Sequence, residues 1–141
     1  MFNREEKIPE AEEILAEYPL PDDLKKIKAE RDALASAVIR GETDKLLVIV
    51  GPCSAHESKP LLDYVERLGR LNEKVKDRLV LVPRIYTNKP RTKGVGYKGM
   101  FTQPDPKSRE DILKGILTIR KLNIDAIGVS GLSAADEMLY P

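Results

Sequence analysis

Two unbroken aliphatic runs, Leu46-Leu47-Val48-Ile49-Val50 and Leu79-Val80-Leu81-Val82, constrain this chain more than any other feature. A strand with one wet face alternates apolar and polar residues. Neither run does, so each predicts a parallel strand covered on both faces. The first stops at Gly51-Pro52, after which Ser58 is placed to cap a helix with Pro60 in its first turn. Leu61, Tyr64, Val65, Leu68, Leu71 and Val75 fall along one side of that helix. After the second run a long loop, Arg84 to Lys107, leads to Ser108. With Asp111 three residues on, Ser108 predicts a capped helix that buries Ile112, Leu113, Ile116, Leu117 and Leu122 and ends at Asn123. Ile124 to Val129 and Leu132 to Leu139 can each hold a strand, and one of them is expected to supply the third. Strands alternating with helices of this length imply right-handed crossovers onto a parallel sheet, either doubly wound or the start of a barrel.

The segment before the first run has a different character. Ala11 to Tyr18 is rich in Glu and Ala and is halted by Pro19 and Pro21. Asp22 can cap a second helix carrying Leu24, Ile27, Leu34 and Val38, closed by Gly41. These helices predict an N-terminal extension over residues 1–45, with the α/β unit occupying 46–141. An apolar fraction of 41% in 141 residues supports a single core. The net charge of +1 argues against whole-molecule attraction to nucleic acid or an acidic membrane. The aliphatic runs are far shorter than the ~20 residues that span a bilayer. With one cysteine and acidic residues where a secretory signal needs an apolar stretch, the sequence reads as cytoplasmic.

The chemistry concentrates at the ends of the two strands. The loop Arg84-Ile-Tyr-Thr-Asn-Lys-Pro-Arg-Thr-Lys-Gly-Val-Gly-Tyr-Lys98 holds Arg84, Lys89, Arg91, Lys93 and Lys98 and no acid. So one-sided a run at the carboxyl end of a parallel strand suits an anion, against the alternative of a solvated charged loop. Guanidinium groups bind phosphate or carboxylate bidentately, and Lys89 offers a point charge and a proton. Gly94-Val-Gly-Tyr-Lys-Gly99 matches a dinucleotide fingerprint letter for letter, but the residues after it cannot begin a helix, so the glycines serve the loop. After the first strand comes Gly51-Pro-Cys-Ser-Ala-His56. Cys53 can be a thiolate metal ligand, a nucleophile or a small buried hydrophobe, and His56 a ligand or a capping or hydrogen-bonding residue.

Gly51-Pro-Cys-Ser54, Arg84-Ile-Tyr86, Lys89-Pro-Arg-Thr92, Gly96-Tyr-Lys-Gly99 and Gly131-Leu-Ser-Ala-Ala135 together resemble the successive motifs of the class I 3-deoxy-D-arabino-heptulosonate 7-phosphate (DAHP) synthases. The resemblance runs from about the second helix to Pro141. It implies a (β/α)8 barrel with an N-terminal extension, of which this chain holds the first two to three strands. It also implies condensation of phosphoenolpyruvate with erythrose 4-phosphate, the step that commits carbon to the shikimate pathway. By resemblance Cys53 matches a metal-ligating and catalytic cysteine, for Mn²⁺, Fe²⁺, Co²⁺ or Zn²⁺. Arg84 and Lys89 match residues that bind phosphoenolpyruvate, Lys89 being also the proton donor, and Arg91 with Thr92 matches the cradle for the erythrose 4-phosphate phosphate group. A homo-oligomer is implied for the complete enzyme.

Lys93-Gly94-Val95 makes the loop one residue longer than in some members, and Ser133 stands where many have proline, near the inhibitor pocket of regulated members. The remaining metal ligands of the family, a His, a Glu and an Asp, come from later strands. The chain is therefore expected to be inactive alone, with an unpaired strand edge. The alternative is a non-catalytic phosphate-binding or interaction module derived from the same family.

Overall fold

A computed structural model describes residues 7–89 and 95–136. In chain order the elements are α1 (Ala11–Glu17), α2 (Asp22–Ile39), β1 (Leu46–Val50), α3 (Ser58–Val75), β2 (Leu79–Pro83) and α4 (Ile112–Ser130). The two aliphatic runs pair in parallel, in a register running from Leu46 opposite Leu79 to Val50 opposite Pro83. A parallel pair needs a crossover, and α3 provides it. Beyond α4 the chain returns to β2. Ala135 forms a parallel bridge with Arg84, Ile85 N–H donates to Ala135 O at 2.7 Å, and Ala135 N–H donates to Pro83 O at 2.8 Å. Arg84 N–H points the opposite way, to Val50 O at 2.9 Å. The stretch after β2 thus lies between the first strand and the returning third segment, in sequential order.

The two crossover helices pack on each other, and α3 also packs on β2. Leu61 and Val65 of α3 meet Leu122 and Ala126 of α4 over Ala55, Ile85 and Met100, all buried. Leu68, Leu81 and Leu132 form a second buried group against Val48. Each such aliphatic side chain contributes about 1.5–3 kcal/mol on burial. Where α3 crosses the end of α4, a Cβ on Gly69 would fall 2.6 Å from Ser130 O, so glycine sets the approach. Helix α2 and the end of α1 lie against α4. Arg120 Nε donates to Tyr18 O at 3.0 Å, and Arg31 Nε donates to Gly131 O at 2.9 Å.

The structure corrects several expectations. Helix α4 does not end at Asn123, whose side-chain amide donates to Ile119 O within the helix. It runs on to Ser130, and Gly131 at φ 66° closes it, its N–H donating to Ile127 O at 2.8 Å. Ile124 to Val129 is therefore helix, because a short apolar run carries no period that separates strand from helix. Of the two candidates for a third strand, it is Leu132 to Leu139 that touches β2, through Ala135; residues 137–139 lie outside the described part.

Ser108 is not the cap of α4. Its hydroxyl donates to Asp105 at 2.6 Å, and Asp111 caps instead, accepting from Lys114 N at 2.9 Å. Ile112 is 43% exposed rather than buried. Ser58 and Asp22 are first helical residues after Glu57 and Pro21, not caps themselves. Finally, β1 is not covered on both faces: Leu46, Ile49 and Val50 are exposed, whereas Val80 and Leu81 of β2 are 2% and 4% exposed. Among the described residues no strand lies on the outer side of β1.

Candidate active site

Both strands end at one rim, and glycine brings their loops together there. Gly51 passes so close to the chain beyond β2 that a Cβ on it would lie 2.0 Å from Arg84 O. Ala55 N–H then donates to Tyr86 O at 2.8 Å, laying the loop after β1 along the stretch after β2. This presents Cys53, which is exposed, to Lys89: Nζ donates to Sγ at 2.9 Å. Two residues 36 positions apart meet because their strands are neighbours in register. Arg84 sits at the same rim, with Nη1 donating to Pro52 O at 2.9 Å and its guanidinium carbon 4.4 Å from the Tyr86 ring centroid. Stacking on an aromatic face suits a planar guanidinium and fixes its plane.

The loop that carries Lys89 is held at its base. Thr87 is buried, and both its N–H, at 3.1 Å, and its hydroxyl donate to the Asp136 carboxylate on the third segment. The Thr87 carbonyl accepts from Phe101 N at 3.1 Å, and Lys89 N–H donates to Lys98 O at 3.0 Å. Gly99 at φ +99° permits this fold-back, since a Cβ there would lie 2.5 Å from Thr87 O. Lys98 in turn pairs with Glu110 at 2.6 Å. No helix follows Gly99 until Ile112, so the glycines serve the loop and not a dinucleotide fingerprint.

A cleft of about 440 Å³ opens between the two loops, lined by Cys53, Ser54, His56, Lys89, Tyr97 and Pro106. The His56 and Tyr97 rings meet edge to face at 5.9 Å between centroids. Burial pushes the Tyr97 phenol up to about 12, so it is a neutral hydroxyl at physiological pH. An ammonium, a thiol and a neutral phenol around one opening, with a guanidinium behind, can hold a small anion and deliver a proton to it.

Of the residues singled out in the sequence, Cys53, Arg84 and Lys89 meet at this rim, whereas Arg91 and Thr92 lie outside the described residues. The exposure of Cys53 removes the buried-hydrophobe alternative. His56 is not the cap of α3, which follows Glu57; it lines the cleft, with Nε2 3.9 Å from Glu57 Oε1. Sequence reasoning passed over Tyr97, although it stands inside the Gly96-Tyr-Lys-Gly99 motif, and Asp136, a lone carboxylate with no pattern around it. A divalent ion would find one thiolate here, already facing an ammonium. Among the described residues no group of three His, Cys, Asp or Glu side chains comes together to complete a set. These residues do not fit a metal ion by themselves.

Comparison with known proteins agrees with the motifs. The phospho-2-dehydro-3-deoxyheptonate aldolase, Trp-sensitive, of Enterobacter agglomerans is 42% identical over 127 residues, which is 89% of this chain and 36% of that protein. The Phe-sensitive one of Escherichia coli K12 is 37% identical over 126 residues, 89% of this chain and 35% of that protein. The solved structure of the phospho-2-dehydro-3-deoxyheptonate aldolase from Francisella tularensis SCHU S4 superposes with a TM-score of 0.86 at 28% identity, covering 99% of this chain and 40% of that one. The chain thus spans about a third of the length of these two curated relatives. With residues 23–141 matching the DAHP synthetase I family as well, this chain belongs to that family.

Proposed function

We propose that this chain forms the first βα units of a DAHP synthase, the enzyme that joins phosphoenolpyruvate to erythrose 4-phosphate and releases phosphate. On this reading residues 1–45 are the N-terminal extension and 46–141 the opening strands of a (β/α)8 barrel, whose active site lies at the carboxyl ends of the strands. The observation that carries the proposal is the contact of Lys89 with Cys53 at that rim, beside Arg84. Arg84 and Lys89 bind the carboxylate and phosphate of phosphoenolpyruvate, and Lys89 donates the proton the reaction needs. Arg91 and Thr92 hold the phosphate of erythrose 4-phosphate. Cations set around two phosphates and a carboxylate keep the reactants together against their mutual repulsion.

Among the described residues, Cys53 is the donor offered to the divalent ion that the family resemblance implies. Because no full donor set comes together among the described residues, the chain alone is expected to give no turnover. The test mixes purified chain with a separately expressed polypeptide carrying the remainder of a relative, both substrates and Mn²⁺, and follows phosphate release. Activity appears only in the mixture and is lost with Lys89→Ala. Turnover by the chain alone that disappears in Cys53→Ala would refute the incomplete-site reading.

A further inference from the structure

In the motif Arg84-Ile85-Tyr86 the proposed function uses the arginine and leaves the tyrosine without a role. The backbone decides where that tyrosine goes. Arg84 N–H donates to Val50 O at 2.9 Å on the β1 side, Ile85 N–H donates to Ala135 O at 2.7 Å on the other, and Tyr86 O accepts from Ala55 N at 2.8 Å. An extended stretch bonded in this way sends successive side chains to opposite faces. Ile85, at 0% exposed, enters the core with Leu122 and Ala126, so Arg84 and Tyr86 share the other face. The half-buried Tyr86 ring belongs to neither buried cluster. It covers the guanidinium instead, with 4.4 Å from Arg84 Cζ to its centroid.

This contact removes a freedom that the neighbouring hydrogen bond leaves. Arg84 Nη1 donates to Pro52 O at 2.9 Å, which holds one corner of the guanidinium but lets its plane turn about the line of that bond. An aromatic face against the cation opposes the rotation, because its negative quadrupole attracts the guanidinium and its surface blocks the swing. The plane matters for the ligand. Bidentate binding of a carboxylate or phosphate needs two N–H donors of the fork directed at two oxygens together. We propose that Tyr86 is a positioning residue for phosphoenolpyruvate, its ring setting the plane in which Arg84 meets the anion. Tyr86 acts through Arg84 and touches no reacting atom. The inference rests on the binding role given to Arg84 above.

The test adds phosphoenolpyruvate to the isotope-labelled full chain and follows the Arg84 Nε–H resonance by NMR. A proton over a ring face is moved upfield, so this resonance is expected upfield in the chain and in Tyr86→Phe, and to return downfield in Tyr86→Leu. The dissociation constant for phosphoenolpyruvate should rise about threefold or more in Tyr86→Leu and hold in Tyr86→Phe. Because the ring acts through the guanidinium, Tyr86→Leu should change nothing further once Arg84→Gln is present, a result that a general loss of packing would not give. Thermal melting shows which variants fold. Where Tyr86→Leu does not, pentafluorophenylalanine in place of Tyr86 keeps the shape of the ring, reverses the charge of its face and is expected to weaken binding in the same way. Unchanged affinity in Tyr86→Leu or its fluorinated substitute, an equal loss in Tyr86→Phe, or an equal loss in the Arg84→Gln background overturns the positioning role and leaves the active-site reading standing. If phosphoenolpyruvate leaves the Arg84 resonance where it was, the binding role of Arg84 falls and this inference falls with it.

Discussion

Gly51 and Gly99 leave no room for a methyl group, and both lie where the site loops touch. A Cβ would meet Arg84 O at 2.0 Å in one case and Thr87 O at 2.5 Å in the other, backbone atoms that cannot rotate aside. Gly51→Ala and Gly99→Ala should each cost about 1–3 kcal/mol, measured as a lower denaturation midpoint, with Gly99→Ala further strained by its positive φ. Tyr97 gives a pH prediction of definite sign. Its phenol ionises near 12 in the fold against an ordinary value of 10.0, because burial disfavours the phenolate. The stability it contributes is therefore complete below pH 10 and is lost as the pH rises from 10 through about 12, while the unfolded chain deprotonates first. Urea midpoints measured across that range should fall less steeply for Tyr97→Phe.

Helix α4 is the element on which sequence and structure diverge most, and its ends explain why. Asp111 caps it through Lys114 N, so Asp111→Ala should lower stability by about 1 kcal/mol, whereas Ser108→Ala, remote from the helix start, should cost less in the same denaturation series. The two positions are three residues apart in a polar stretch where either can be read as a cap. At the other end the apolar residues from Ile124 to Val129 satisfy helix and strand alike, and the real stop, Gly131, was available as a left-handed residue. The parallel pairing of β1 with β2 was legible because an aliphatic run without alternation has few other uses. The Cys53 to Lys89 contact was legible only as a shared strand end. Its closeness depends on Gly51, whose role is visible only once Arg84 O is seen against it. Asp136 left no trace in the pattern, since a tie to Thr87 across 49 residues has no local signature.

For the whole molecule, the outer edge of β1 is the feature with the largest consequence for behaviour in solution. It combines exposed Leu46, Ile49 and Val50 with a row of backbone groups that have no neighbouring strand among the described residues, which favours edge-to-edge association. Sedimentation velocity should show concentration-dependent assembly, and Ile49→Lys should shift the chain toward monomer with a change in folding stability within about 0.5 kcal/mol. The extension points to something else. Neither α1 nor α2 buries a residue, and two of the bonds that hold them, Arg31 to Gly131 and Arg120 to Tyr18, close loops of 100 and 102 residues. Loop closure of that span comes late in folding, after the strands and crossover helices have formed their nearer contacts. The first forty or so residues are then the last part to dock and the first to release. Under native conditions a protease should cut near the Gly41 turn long before it reaches the sheet, leaving a trimmed core that begins at β1.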